Sequence, residues 1–296
     1  MKSTSMVFLV AAFLLAVCQV TCAQSASDAN RALLEKGEVG DAQALKTLNE
    51  NAVNGDAEAQ FSLGIMYEKG HGVTQSYTDA ATWLRKAADQ GHAMAQNNLG
   101  VLYANGRGVP QDEIQAEQWY RKAAVQGYAV AQNNLGVLYA NGRTLVSDLT
   151  REVHHGVLTE RRPAVVQDDV EAAKWYRFAA EQGYAAAQFN LALMIGAGRG
   201  VAKDDFAAAN WYRKAAEQGH VEAQFNLGVR FANGRGVAQD NVQAYKWWTL
   251  VKASSDPVGN LHESAEQNLA VLDAKMSAAD VARAKQAAAA WLSARS

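Results

Sequence analysis

Histidine, carboxylate and glycine-rich stretches are where chemistry would be sought in this chain of 296 residues. His262-Glu263-Ser264-Ala265-Glu266 opens as a zinc-binding helix would. Such a helix needs two histidines four apart to meet one ion from a single face, and the second is missing. The Gly106-Arg107-Gly108-Val109 loop, with counterparts at Gly70, Gly198 and Gly234, carries closely spaced glycines. It lacks the third glycine of a dinucleotide fingerprint and the Gly-Lys-Ser/Thr of a phosphate loop. His154 and His155 are adjacent, and neighbouring side chains rarely converge on one ion. His92 and His220 share one sequence column with Asp56, Tyr128 and Tyr184, which makes them helix-start packing groups rather than catalysts. Catalysis needs a nucleophile, base and orienter that converge, or a metal, and few candidates exist. The expectation is a non-enzyme with no catalytic residue, no metal site and no cofactor.

Composition points the same way. Apolar residues make up 49%, and 28 Lys+Arg stand against 30 Asp+Glu, which is the balance of a folded chain with no electrostatic case for nucleic acid. The first residues form an address: one lysine, then an apolar run from Met6 to Val17, then Thr21-Cys22-Ala23. That run is shorter than the roughly 20 residues a bilayer span needs and fits a secretory signal cleaved after Ala23. Cleavage would remove both cysteines and leave neither thiol chemistry nor a membrane span, so the expected location is periplasmic or secreted.

The elements that must position any functional side chain are written in a period of 36. Leu63-Gly64 returns as Leu99-Gly100, Leu135-Gly136, Leu191-Ala192 and Leu227-Gly228, and Trp83 returns as Trp119, Trp175, Trp211 and Trp247. Within a copy, Ala59, Leu63 and Tyr67 are four apart, and Ala80, Trp83, Leu84, Ala87 and Ala88 follow a helical stripe, so each copy is two amphipathic helices. The intervening Gly70, Gly106, Gly198 and Gly234 suit a left-handed helix stop. Ser76, Asp112, Asp168, Asp204 and Asp240 suit the N-cap of the second helix, with capping boxes at Asp112/Gln115, Asp168/Glu171 and Asp240/Gln243. Gly64 and its repeats lie inside a helix, where glycine costs about 1 kcal/mol against alanine. The compensation expected is close approach of the Trp83-type ring.

The run Ala-x-Ala-Gln-x-x-Leu-Gly-x-x-Tyr, Gly-x-Gly-Val, Ala-x-x-Trp-Tyr-x-Lys-Ala-Ala and Gln-Gly, as in Ala93 to Gly127, resembles the Sel1-like repeat, a relative of the tetratricopeptide repeats. Departures are Ala192 for glycine, Ile195 for tyrosine, and the long third copy. The resemblance implies an all-α fold, an α/α superhelix (solenoid) of five helix-turn-helix repeats with helical caps at both ends. The domains are then a signal peptide over 1–23, an N-terminal capping helix region over 24–55, repeats over 56–91, 92–127, 128–183, 184–219 and 220–255, and C-terminal capping helices over 256–296. Asp41 to Gly55 is a lone second helix in this scheme, and Met276 to Ser293 with Trp291 closes the array.

In function, the resemblance implies a scaffold that binds a protein or peptide along a concave wall of first helices. The partner-binding stripe expected there is Glu58, Phe61 and Ile65, then Asn97 and Val101, Asn133 and Val137, and Phe189 and Phe225. Asn97 and Asn133 would form an amide ladder suited to an extended peptide backbone. The alternatives are a cell-wall (peptidoglycan) binding or processing module and, by analogy with cysteine-rich relatives, a β-lactamase-like hydrolase. The chain has no Ser-x-x-Lys and no cysteine pairs after cleavage. The insertion over 144–163 lies in the loop of the third copy, where chain length is tolerated, and its five Arg and His side chains would suit a partner-contacting arm.

Overall fold

The structure is a computed structural model that describes residues 28–37, 41–142, 153–154, 157–158, 165–255 and 259–295. The signal segment and most of the insertion therefore lie outside the described residues. The chain divides into two compact units.

The first unit holds α1 (28–37), α2 (Ala42–Val53), α3 (Ala57–Lys69), α4 (Tyr77–Asp89), α5 (Ala93–Asn105) and α6 (Glu113–Val125). The second holds α7 (Ala129–Asn141), α8 (Asp169–Glu181), α9 (Ala185–Ala197), α10 (Asp205–Glu217), α11 (Val221–Asn233), α12 (Asn241–Ala253), α13 (Leu261–Asp273) and α14 (Ala278–Ser293). Within the insertion, β1 (Val153–His154) pairs antiparallel with β2 (Val157–Leu158). The all-α expectation of consecutively packed helix pairs holds in each unit, α3 with α4 and α5 with α6, then α7 with α8, α9 with α10 and α11 with α12.

Helix starts and stops follow the glycines and aspartates. Gly70, Gly106, Gly198 and Gly234 take φ between 63° and 75° and cap the first helices. Gly142, where the insertion leaves α7, is not left-handed (φ -56°). Asp112, Asp168, Asp204 and Asp240 accept the N–H groups of the following turn, and Ser76 accepts from Asp79. Only that half of the expected capping boxes is built. The N-cap amides are already bonded to first-helix carbonyls, Asp112 to Tyr103, Asp168 to Tyr139 and Asp240 to Phe231, so the Gln and Glu side chains have no amide to reach back to. Glu171 receives the Trp175 indole N–H instead, at 2.8 Å.

The helix-interior glycines face a different column from the one expected. A Cβ on Gly64 would sit 2.6 Å from Leu84 Cγ, on Gly100 and Gly136 2.7 Å from the rings of Tyr120 and Tyr176, and on Gly228 2.6 Å from Trp248 Nε1. The partner is thus the residue after the repeating tryptophan. Trp83 and Trp119 turn toward the preceding copy, Trp83 onto the α2–α3 cluster with Leu48 and Ala52, and Trp119 onto Ala81, Leu84 and Ala88. A one-residue step on a helix rotates a side chain by about 100° and so separates the two tasks.

At the N-terminal end, Asp41–Gly55 is not alone. Helix α1 packs Leu33 and Leu34 against Leu48 and Met66, and Asn30 ties Asn51 and Asp56 together. At the far end α14 buries Ala284 and Ala288, and Trp291 meets Trp247 edge-on at 6.5 Å.

Candidate binding surface

Alanine and glutamine together set the spacing between copies. Gln60, Gln96, Gln188 and Gln224 are buried and donate to carbonyls of the preceding second helix (Ala52, Ala88, Ala180 and Ala216) at 3.0–3.2 Å. Gln60, Gln96, Gln132 and Gln188 also accept from the glutamine before the closing glycine of their own copy, from Gln90, Gln126, Gln182 and Gln218, at 2.7–2.8 Å. Burying an amide is tolerable only when it is bonded in this way. Both glutamines were visible in the repeating motif, as Ala-Gln and Gln-Gly, though their spacing gave no hint that they pair.

The rigid helices so formed present the expected stripe unevenly. Asn97 and Asn133 are 4% and 7% exposed. Asn97 donates to Asn98, and Asn133 accepts from Asn190 at 3.0 Å, so these carboxamides are turned into the packing with neighbouring amides. Phe61 and Phe189 are half-buried under the histidine that opens the next first helix, Phe61 on His92 at 4.7 Å and Phe189 on His220 at 4.8 Å. Phe225 lies against Trp248. Glu58 is half-buried and receives His92 Nε2 at 3.1 Å, while His92 Nδ1 accepts the Ala95 N–H. That pair of contacts fixes the imidazole with its proton on Nε2. His92 is thus a helix-start group, as its column implied. Burial pushes the His220 pKa below its ordinary value against the opposing charge of Glu222.

Ile65, Val101 and Val137 remain, and they belong to a column that continues through Leu193 and Val229. Ile65, Val101 and Val229 are half-buried, while Val137 and Leu193 are 36% and 43% exposed. The period placed Leu193 and Val229 in this column, yet the predicted stripe stopped short of them. Every copy therefore carries an aliphatic side chain at this position without enclosing it.

The loops between paired helices are tied to the copy before. The second loop glycines leave no room for a side chain, since a Cβ would fall 2.1 Å from Tyr77 O at Gly108 and 2.0 Å from Asp169 O at Gly200. Arg199 forms a two-pronged pair with Asp169 at 2.6 and 3.2 Å, and its hydrogen bonds hold the Asp169 carboxyl below the usual range. Arg235 repeats the contact with Asp205 at 2.9 Å. Such arginines fasten each loop to the copy before it. His262, from the incomplete zinc-like segment, ties Ser254 at the end of α12. Among the described residues, no group of three or more His, Cys, Asp or Glu could hold a metal ion, and no helix is long and apolar enough to cross a membrane.

Repeated helix pairs joined by left-handed glycine stops, with buried glutamines between them, define a helix-pair repeat protein of the tetratricopeptide-like class. The model of the Sel1 repeat matches residues 57–92, 93–128, 129–151, 159–184, 185–220 and 221–250, and the chain belongs to that family. The third and fourth matched segments are the two halves of one copy, α7 and α8, separated by the insertion. Among solved structures, the chain is similar to a Sel1 repeat protein from Oxalobacter formigenes, with 28% identity over 90% of this chain and 97% of that one, TM-score 0.67. It is also similar to c5321, a protective antigen of uropathogenic Escherichia coli strains with an SLR fold, with 30% identity over 86% of this chain and TM-score 0.51. There it spans 57% of the antigen's length. No curated protein matches the chain.

Proposed function

We propose that this protein is a non-catalytic protein–protein interaction scaffold, exported by its N-terminal signal to the periplasm or beyond the cell, that holds a protein or peptide partner along its first helices. Sel1 repeats are commonly involved in protein–protein interaction, which supports the general reading. The observation that carries it is the aliphatic column from Ile65 to Val229, incompletely buried in every copy on helices whose positions the glutamines fix. A preorganised surface of this kind lowers the ordering cost of capturing a flexible chain. Against catalysis stand the histidines, which are used as caps and ties at His92 and His262.

The test is capture from envelope extracts by the full chain and by a Val137→Glu/Leu193→Glu variant, with circular dichroism confirming helicity. The scaffold reading expects a specific partner on the first and none on the second. Equal capture by both, or none by either, overturns it. Export is tested by fractionating cells expressing the chain with and without residues 1–23, and cytoplasmic retention of both refutes it.

A further inference from the structure

One place where the repeat breaks its own chemistry is in α11. The column Met66, Leu102, Leu138, Met194 is apolar in four copies and ends in Arg230. Arg230 is buried, with 7% exposure against 0% for Met66 and Leu102 and 3% for Met194. Burying a charge costs several kcal/mol unless it is paired and bonded, so the substitution needs a local reason.

Part of that reason is structural. Arg230 Nη1 donates to Asp205 Oδ1 at 3.0 Å, to Asp205 O at 3.2 Å and to Arg235 O at 3.3 Å, and the guanidinium lies 5.1 Å from the centre of the Tyr212 ring. Those bonds occupy one nitrogen, and a further side-chain hydrogen bond joins the guanidinium to Tyr212. The other terminal nitrogen, Nη2, lies against Gly196, where a Cβ would be only 2.6 Å away. Residue 196 is itself a departure, because its column carries Glu68, Ala104, Ala140 and Ala232 in the other copies. The chain has thus lost a side chain at 196 where it gained a guanidinium at 230. Two exceptions to a five-fold pattern that accommodate each other form a built feature.

The guanidinium also opens onto space. A cavity of about 320 Å³ between α9, α10 and α11 is lined by Arg230, Arg235, Asn226, Asn233 and Tyr212, with Gly196 in its wall. Asn226 and Asn233 each spend one N–H on their own helix, on Glu222 O and Val229 O, and so retain a second. Asp205 is shared by Arg230 and Arg235, one carboxylate between two guanidiniums, so the cluster keeps an excess positive charge. Leu193 and Val229 of the aliphatic column also line this cavity.

We infer that this cavity binds a carboxylate of the partner, with Arg230 Nη2 and Arg235 as the charged donors, Asn226 and Asn233 as amide donors, and Leu193 and Val229 against the adjoining apolar atoms. A planar guanidinium donates to a carboxylate more strongly than neutral donors do, so an uncharged group binds there more weakly. The inference deepens the scaffold proposal by giving chemistry to one point of contact.

The test is a titration of the full chain with three N-acetylated penta-alanine peptides: one ending in a free carboxylate, one ending in an amide, and one amidated with glutamate at its centre. The readouts are affinity and the Nε–Hε resonance of Arg230. At least one carboxylate peptide binds ten-fold or more tightly than the neutral amide. Preference for the free acid alone names a chain terminus as the source, and preference extending to the glutamate peptide names a side chain. Arg230→Met, which restores the residue found at Met194, removes the discrimination while helicity is kept. Gly196→Ala, whose Cβ displaces Nη2, does so independently, as does Asn226→Ala with Arg235→Gln should Arg230→Met fail to fold. Equal binding of all three peptides, or discrimination that survives in the folded variants, overturns the site. If that happens while capture that depends on Val137 and Leu193 persists, the site falls and the scaffold stands.

Discussion

Replacing Gly100 with alanine tests whether the helix-interior glycines exist for packing. Two effects oppose each other. Alanine is the better helix former by about 1 kcal/mol. Its Cβ would sit 2.7 Å from two carbons of the Tyr120 ring and 3.3 Å from Ala116 O, in a place where Tyr120 is only 5% exposed and has little freedom to retreat. Overpacking of that kind costs about 1–3 kcal/mol. The net expectation is a loss of about 0–2 kcal/mol in urea unfolding followed by circular dichroism. In a Tyr120→Ala background the ring is gone, and Gly100→Ala should then stabilise by about 1 kcal/mol. The change of sign between backgrounds is the result to look for, and it is read as the coupling energy of a double-mutant cycle. The fourth copy supplies the control. Ala192 already occupies the equivalent position opposite Tyr212, so Ala192→Gly should lose about 1 kcal/mol of helix propensity. If Gly100→Ala stabilises equally with and without the Tyr120 ring, the packing explanation is wrong.

Three further outcomes follow from the same contacts. Gln96→Leu removes the bonds to the Ala88 carbonyl and from the Gln126 amide, whose other partners, the Gly91 N–H and the Lys122 carbonyl, remain, and should cost about 0.5–1.5 kcal/mol per lost bond in urea unfolding; a change below half of that refutes the role of the glutamines. Gly106→Ala forces a side chain onto φ 65°, which costs roughly 1–2 kcal/mol in urea unfolding, whereas Gly142→Ala meets no such dihedral penalty and is opposed instead by crowding against the backbone of Val165, Val166 and Gln167. For His220, the folded pKa lies below the ordinary value, so the unfolded chain binds the extra proton. Its contribution to stability is complete above about pH 6.5 and is lost as pH falls from there toward the depressed folded pKa. His220→Asn should flatten the decline in melting temperature between pH 7 and 5, and an unchanged slope would remove the histidine from the acid response.

How much of this was legible in the sequence depended on whether a residue's task follows from its period. Helix pairs, left-handed stops and N-caps did, because glycine and aspartate have one local use at those positions. The partner of Gly100 did not. Trp119 and Tyr120 are both large and apolar and both recur every copy, and only coordinates distinguish the ring that fills the glycine notch from the ring that reaches the preceding copy. Helix α1 escaped notice for a related reason: Leu33 and Leu34 are too few to mark a helical face, and the hydrogen bonds of Asn30 that anchor it are long-range. Asn97 and Asn133 are polar residues that sequence reasoning placed at a surface, yet each finds an amide beside it and is buried at small cost.

The columns that agree across copies build the framework, so a contact special to one partner is best sought where a column breaks. A break that serves no purpose should be energetically cheap, as Ala192 is, or lie where solvent relieves it. Arg230 is neither. It replaces an apolar side chain at 7% exposure and holds Asp205 in the charged form by its hydrogen bonds. It also depends on the absence of a side chain at Gly196. A well-packed methionine would avoid the desolvation of the guanidinium altogether, and replacing buried ion pairs by apolar residues is often neutral or stabilising. Stability alone therefore gives no reason to keep the arginine, and the donor-bearing side chains of Arg230, Arg235, Asn226 and Asn233 lining one cavity supply a reason that stability does not.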